Sequence, residues 1–210
     1  RMAGHAYFIK KDFQNALLYL EEFEKANTNL EEADYYALGY SNYFTGKYSK
    51  AIPYFTTLSG QQSQIGQNSN YYLADCYLKS GDKLSARTAF YNVSKLQFQE
   101  NIREEALFNY GKLSSELGFD REGLTTLNSF ATGSKYYQEA QDIMADILNR
   151  TKDYDQAIRV IENIKNPSVR LKEAYQLMSY NRALQLIQTD KPQEAKVLLQ
   201  KSIEPSFDRN

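Results

Sequence analysis

Apolar residues along this chain fall at i, i+3, i+4 and i+7, the spacing of one helical face, and strand-like alternation appears over no useful length. The clearest unit is Gly46-Lys-Tyr-Ser-Lys-Ala51-Ile-Pro-Tyr-Phe55: a turn, an aromatic, a small residue three positions on, and an aromatic four beyond that. It recurs at Gly81-Asp-Lys-Leu-Ser-Ala86-Arg-Thr-Ala-Phe90 and at Lys152-Asp-Tyr154-Asp-Gln-Ala157-Ile-Arg-Val-Ile161. Weaker copies are Phe13…Ala16…Leu20, Gly118…Gly123…Leu127 and Pro192…Ala195…Leu199. The aligned small residues are 16, 51, 86, 123, 157 and 195, at intervals of 35, 35, 37, 34 and 38. A constant period of this length signals stacked supersecondary units.

Each turn has a second apolar segment one helix length upstream. These are Tyr35-Tyr-Ala-Leu38-Gly39, Tyr72-Leu73-Ala74-Asp-Cys-Tyr77, Phe108-Asn-Tyr110-Gly111 and Ile143-Met144-Ala145-Asp-Ile-Leu148. Small residues (Gly39, Ala74, Gly111, Ala145, Ala183) stand beside or near large ones (Leu38, Leu73, Tyr110, Met144), as close helix–helix approach requires. The pattern predicts about twelve helices in six antiparallel pairs, divided near 1–28, 29–65, 66–98, 99–133, 134–166 and 167–205. A lone helical hairpin cannot bury its apolar face, so the pairs are expected to stack into one solenoid over 1–210.

Local signals refine the boundaries. Thr28-Asn-Leu-Glu31 reads as a capping box, and Asn166-Pro167 as a cap followed by a helix-opening proline. Gly46, Gly81 and Gly118 sit in turns where left-handed backbone is tolerated. Pro53 falls inside a predicted helix and is expected to bend it.

The spacing, the Leu-Gly and Leu-Ala pairs with an aromatic following, and the Gly-x-Tyr-x-x-Ala-x-x-x-Phe turn resemble tetratricopeptide repeats along essentially the whole chain. The match is strongest over 35–100 and 134–165. There are departures: no unit has the usual tryptophan, and Tyr35 takes its place in the second. Late positions of the second helices are large where the family is small (Phe23, Leu58, Val93, Phe130, Ile164), and closing prolines are missing or displaced to Pro167 and Pro205. The resemblance implies an all-α, right-handed superhelix with a concave groove lined by the first helix of each pair. Carried over position by position, the groove would show Tyr36, Tyr40 and Tyr43, then Tyr71, Asp75 and Lys79. Phe108 and Lys112 follow, then Asp142, Asp146 and Tyr180. The family's carboxylate clamp of lysines and asparagines is absent, because Tyr36, Tyr40, Tyr71 and Asp75 stand at its places. The resemblance implies a non-catalytic scaffold for a protein or peptide. A second reading is a structural segment of a bacterial cell envelope, acting through self-association or with outer-membrane machinery; the Tyr-Tyr-Leu-Ala-Asp style suggests it.

Composition narrows the chemistry. Lys and Arg number 25 against 26 Asp and Glu, for a net charge of -1, which supplies no basic footprint for nucleic acid. No run of about 18 apolar residues is present to span a bilayer. The single cysteine, Cys76, cannot form an intramolecular disulfide and reads as a buried, inert thiol. The only histidine, His5, reads as a surface or packing residue rather than a catalytic base. Gly111-Lys112-Leu-Ser114 lacks the earlier glycine and preceding strand of a phosphate loop. Asp142 and Asp146, with Glu139, share a helix face but offer too few oxygens for a cation. No metal or other cofactor is expected. The sequons Asn92-Val-Ser94 and Asn149-Arg-Thr151 bear only on a secreted protein. The chain opens within a helical pattern at Arg1 and closes on Phe207–Asn210, and is read as a piece of a longer solenoid. The 18 tyrosines remain as the surface signal, since a ring with a polar tip suits a binding face.

Overall fold

A computed structural model describes residues 1–27 and 29–203. Among them are twelve α-helices and no strand. They are α1 (Met2–Ile9), α2 (Phe13–Ala26), α3 (Glu32–Phe44), α4 (Tyr48–Leu58), α5 (Gln64–Lys79) and α6 (Lys83–Lys95), then α7 (Glu100–Glu116), α8 (Asp120–Leu127), α9 (Tyr137–Arg150), α10 (Tyr154–Glu162), α11 (Val169–Gln188) and α12 (Pro192–Ile203). The chain forms two compact units, Arg1–Leu113 and Ser114–Asn210, with the division inside α7.

In the first unit α1 packs on α2, α3 on α4 and α5 on α6, while α1 also meets α3 and α3 meets α5. The second helix of one pair packs on the first helix of the next, as α2 does on α3 and α4 on α5. In the second unit α8 packs on α9, α9 and α10 on α11, and α11 on α12. This neighbour-to-neighbour packing is that of an α-solenoid. The small residues aligned in the sequence are where helices meet: Ala16, Ala51 and Ala86 are fully buried, as are Ala157 and Ala195 to within 1%, and Gly123 is buried too. Around them lie Leu20, Phe55, Leu58, Phe90 and Val93.

The turns share a backbone solution. Left-handed residues stand at Lys11, Gly46, Gly81, Gly118 and Asp190, between the members of a helix pair in each case. The second helices of three pairs, α2, α6 and α10, are capped by aspartate: Asp12 accepts from the Asn15 amide, Asp82 from the Ser85 amide and Asp153 from the Gln156 amide. Each cap satisfies one of the free amides of a first helical turn. The longer intervals in the sequence are taken up by helix length, with α7 at 17 residues and α11 at 20.

Two local expectations need correction. Helix α3 starts at Glu32, and its box is built by Asp34, whose carboxylate accepts from the Glu31 amide at 3.0 Å. Thr28, expected as the capping residue, lies outside the described residues, as does Pro205. Ser168 caps α11 by accepting from the Leu171 amide, whereas Asn166 takes a left-handed conformation in the turn before it. Helix α4 runs on through Pro53, as the sequence pattern predicts.

Candidate functional site

The first helices of the pairs in the first unit bring their aromatic residues together. Tyr36, Tyr40, Tyr43 and Phe44 follow one another on α3 at helical spacing. Phe8 of α1 meets Tyr36 and Tyr40 edge-on, and Phe13 of α2 stacks on Phe44 with centroids 5.0 Å apart. From α5, Tyr72 meets Tyr40 at 4.8 Å and Tyr43 at 5.0 Å. Edge-to-face rings at these separations attract beyond the area they bury. The outcome is a continuous aromatic slab across α1, α3 and α5.

Most hydroxyls of the slab are committed within it. Tyr43 donates to Asp75, Tyr71 donates to Glu105 at 2.6 Å, and Tyr72 donates to the Tyr40 oxygen at 3.3 Å. Burial, with Tyr40 nearby, pushes the Tyr36 hydroxyl up to about 12. Burial also raises Tyr43, and the carboxylate of Asp75 adds to the effect. The Lys79 ammonium lies 3.2 Å from Asp75 and about equally far from the Tyr43 and Tyr48 rings, at 5.9 and 5.6 Å. The slab therefore ends in a balanced carboxylate–ammonium pair at the C-terminal end of α5.

The residues expected to line a groove divide in fate. Tyr36, Tyr40, Tyr43, Tyr71, Asp75 and Lys79 are brought together, the first five half-buried and Lys79 exposed. Phe108 is 5% exposed with the Lys112 ammonium over its ring, so it fills the interior rather than presenting a face. In the second unit Asp146 pairs with Arg170, Asp142 is half-buried, and Tyr180 stands 46% exposed on α11. Sequence reasoning missed Phe44, which is 48% exposed and is the most accessible ring of the slab. Its signal is the end of the run Tyr40-Ser-Asn-Tyr43-Phe44, one turn after Tyr40.

The residues weighed for catalysis are engaged in structure. His5 donates through Nε2 to Asp34 at 2.7 Å, and Arg1 reaches the same carboxylate at 3.0 Å. Cys76 is fully buried, and that burial pushes its thiol up to about 12, away from the reactive thiolate. Among the described residues no three His, Cys, Asp or Glu are placed to hold a metal ion, and no helix is long and apolar enough to cross a membrane.

No protein-family model and no curated protein matches the chain. Solved structures similar to it include two of a Podosopora anserina protein assigned as a kinesin light chain with nearly identical TPR-like repeats. One, a point variant of that protein, has a TM-score of 0.44 at 13% identity over 83% of this chain and 96% of that one. The other has a TM-score of 0.42 at 13% identity over 85% and 97%.

Proposed function

We propose that the chain is a non-catalytic scaffold that binds an extended peptide or a partner helix on the aromatic slab of its first unit. The observation that carries this reading is Phe44, an aromatic ring about half exposed and packed against rings from α2, α3 and α5. An exposed ring backed by rigid rings offers contact area at little entropic cost. Asp75, Lys79 and Glu105 at its margin supply polar contacts that fix register.

The test is selection of peptides from a displayed random library, followed by affinity measurement. Peptides that bind the chain should lose about tenfold or more with Phe44→Ala, whereas Val197→Ala, on exposed α12, should change nothing. Selected peptides that bind Phe44→Ala and Tyr40→Ala as tightly as the parent chain would overturn the proposal.

One observation favours self-association as a second reading. Leu177, Tyr180, Leu184 and Ile187 are 39–50% exposed along one face of α11. A contiguous apolar stripe of this kind marks an interaction surface. Mass measured by light scattering over a hundredfold dilution series, for the chain and for Leu184→Glu, decides it.

A further inference from the structure

The left-handed position in the turns within helix pairs is filled by Gly46, Gly81 and Gly118, but by Lys11 after α1 and by Asp190 after α11. A side chain in that conformation carries strain that glycine avoids. The two residues are opposite in charge, exposed, and in no ion pair among the described residues. Each follows a helix whose outer side is apolar and uncovered.

Helix α1 sets Gly4 against Leu20 of α2 and Phe8 against Tyr36 and Tyr40 of α3. On its opposite side Met2, Ala6 and Ile9 form a row at helical spacing, with Met2 87% and Ile9 78% exposed. Helix α11 packs on α9, α10 and α12 and buries Leu171, Ala174 and Met178. The stripe from Leu177 to Ile187 lies on the side of the helix away from them.

First helices of neighbouring pairs meet within each unit, as α1 does α3, α3 does α5 and α9 does α11. The uncovered side of α11 and the uncovered side of α1 are the two unmade halves of that same contact. Laid together in the same sense, the two helices carry their turns to one edge. Asp190 of one copy then stands one helix spacing from Lys11 of the next, about 8–10 Å between axes, where a lysine side chain reaches a carboxylate.

We propose that copies of this chain associate head to tail, the α11 stripe of one docking on the Met2–Ala6–Ile9 face of the next. The proposal rests on the self-association reading above and names the face that α11 meets. A two-fold contact of α11 with itself would leave the α1 face and Lys11 unused. Unlike faces leave one of each kind free on every growing assembly, so addition continues unless a ring closes. The row on α1 is about 10 Å long and that on α11 about 15 Å. This is a small contact, and association is expected at about 10–100 μM.

The test is light scattering of the full chain from about 5 to about 500 μM, where the mass should rise past that of a dimer. Ile9→Glu and Leu184→Glu each place a charge on one face, and each should be monomeric alone. Mixed in equal amounts they should form a dimer and stop there, because one intact face of each kind remains between them. That recovery would also show both variants to be folded. Lys11→Asp should weaken association about threefold, and Lys11→Asp combined with Asp190→Lys in one chain should restore it. A parent chain that stays monomeric would overturn the proposal together with the self-association reading. Ile9→Glu associating as the parent does would overturn the head-to-tail contact alone. So would a mixture that stays monomeric while circular dichroism shows both variants folded.

Discussion

A β-carbon on Gly39 would stand 2.9 Å from Cε1 and 3.0 Å from Cδ1 of Phe55. Glycine on α3 is what lets the Phe55 ring of α4 approach the α3 backbone so closely. The ring is fully buried and is also stacked on Tyr72, so it has nowhere to retreat. Gly39→Ala should therefore cost about 1–3 kcal/mol, the usual range for overpacking. Urea denaturation measures it; Gly60→Ala, where the added carbon meets nothing, is the control.

Gly46 and Gly81 present the opposite case. A β-carbon at either meets nothing within 4 Å, but their φ values are 77° and 83°. The expected cost of Gly46→Ala is about 1 kcal/mol and comes wholly from left-handed backbone. Lys11, at φ 61° in the equivalent turn, already bears that strain. Lys11→Gly should thus raise the urea midpoint or leave it unchanged, and a clear loss of stability would show that the turn conformation is wrong.

These two glycine classes explain what is visible in the chain before its structure. The helix pairs, their turns and the buried alanines are legible because period and residue size are properties of sequence. The aspartate caps at Asp12, Asp82 and Asp153 are written in the chain as well, each one residue before a second helix. They do not stand out, because aspartate is common and its role emerges only once the helix start is fixed. The candidate site is legible in part. Helical spacing places Tyr36, Tyr40 and Tyr43 together, but it cannot say that Phe108 turns inward and Phe44 outward. That choice depends on which neighbouring helix covers each ring. The open faces of α1 and α11 are not legible at all, because helical spacing cannot say that no neighbouring helix covers them.

Asp34 gives a pH dependence with a definite sign. It is fully buried. Burial alone would raise its pKa, but hydrogen bonds from His5, the Glu31 amide and Arg1 outweigh it and hold the carboxyl below its ordinary value. A carboxyl lowered by folding contributes stability above its unfolded pKa of about 3.9 and loses it as pH falls through the folded value. Its contribution should hold constant from about pH 7 to pH 5 and fade below about pH 4. Asp34→Ala should lower stability at neutral pH by about 2–4 kcal/mol, because it removes both a cap and a buried ionic partner. Denaturation at about pH 7 and about pH 3 should show the gap between the two proteins closing in acid. A gap of equal size at both values would mean that the carboxylate is not the stabilising species.

Gln67 carries the last test, of how the link after α6 is held. Its side chain is fully buried on α5 and serves backbone groups that no helix can satisfy. Nε2 donates to the Leu96 carbonyl at 2.8 Å, and Oε1 accepts from the Gln99 amide at 2.7 Å. Leu96 ends α6 and Gln99 stands just before α7, so one amide spans the connection between the two helices. Gln67→Leu keeps the volume but strands a buried carbonyl and an N–H, which should cost about 2–4 kcal/mol. Gln67→Glu separates the two halves of that cost. A carboxylate still accepts from the Gln99 amide but faces the Leu96 carbonyl with no donor, so this variant should be the less stable at pH 7 and recover as pH falls and the acid gains its proton. Hydrogen exchange of the Gln99 amide checks the mechanism directly: it should quicken in Gln67→Leu beyond the change in global stability, and exchange at the global rate alone would show that the link is held by something else.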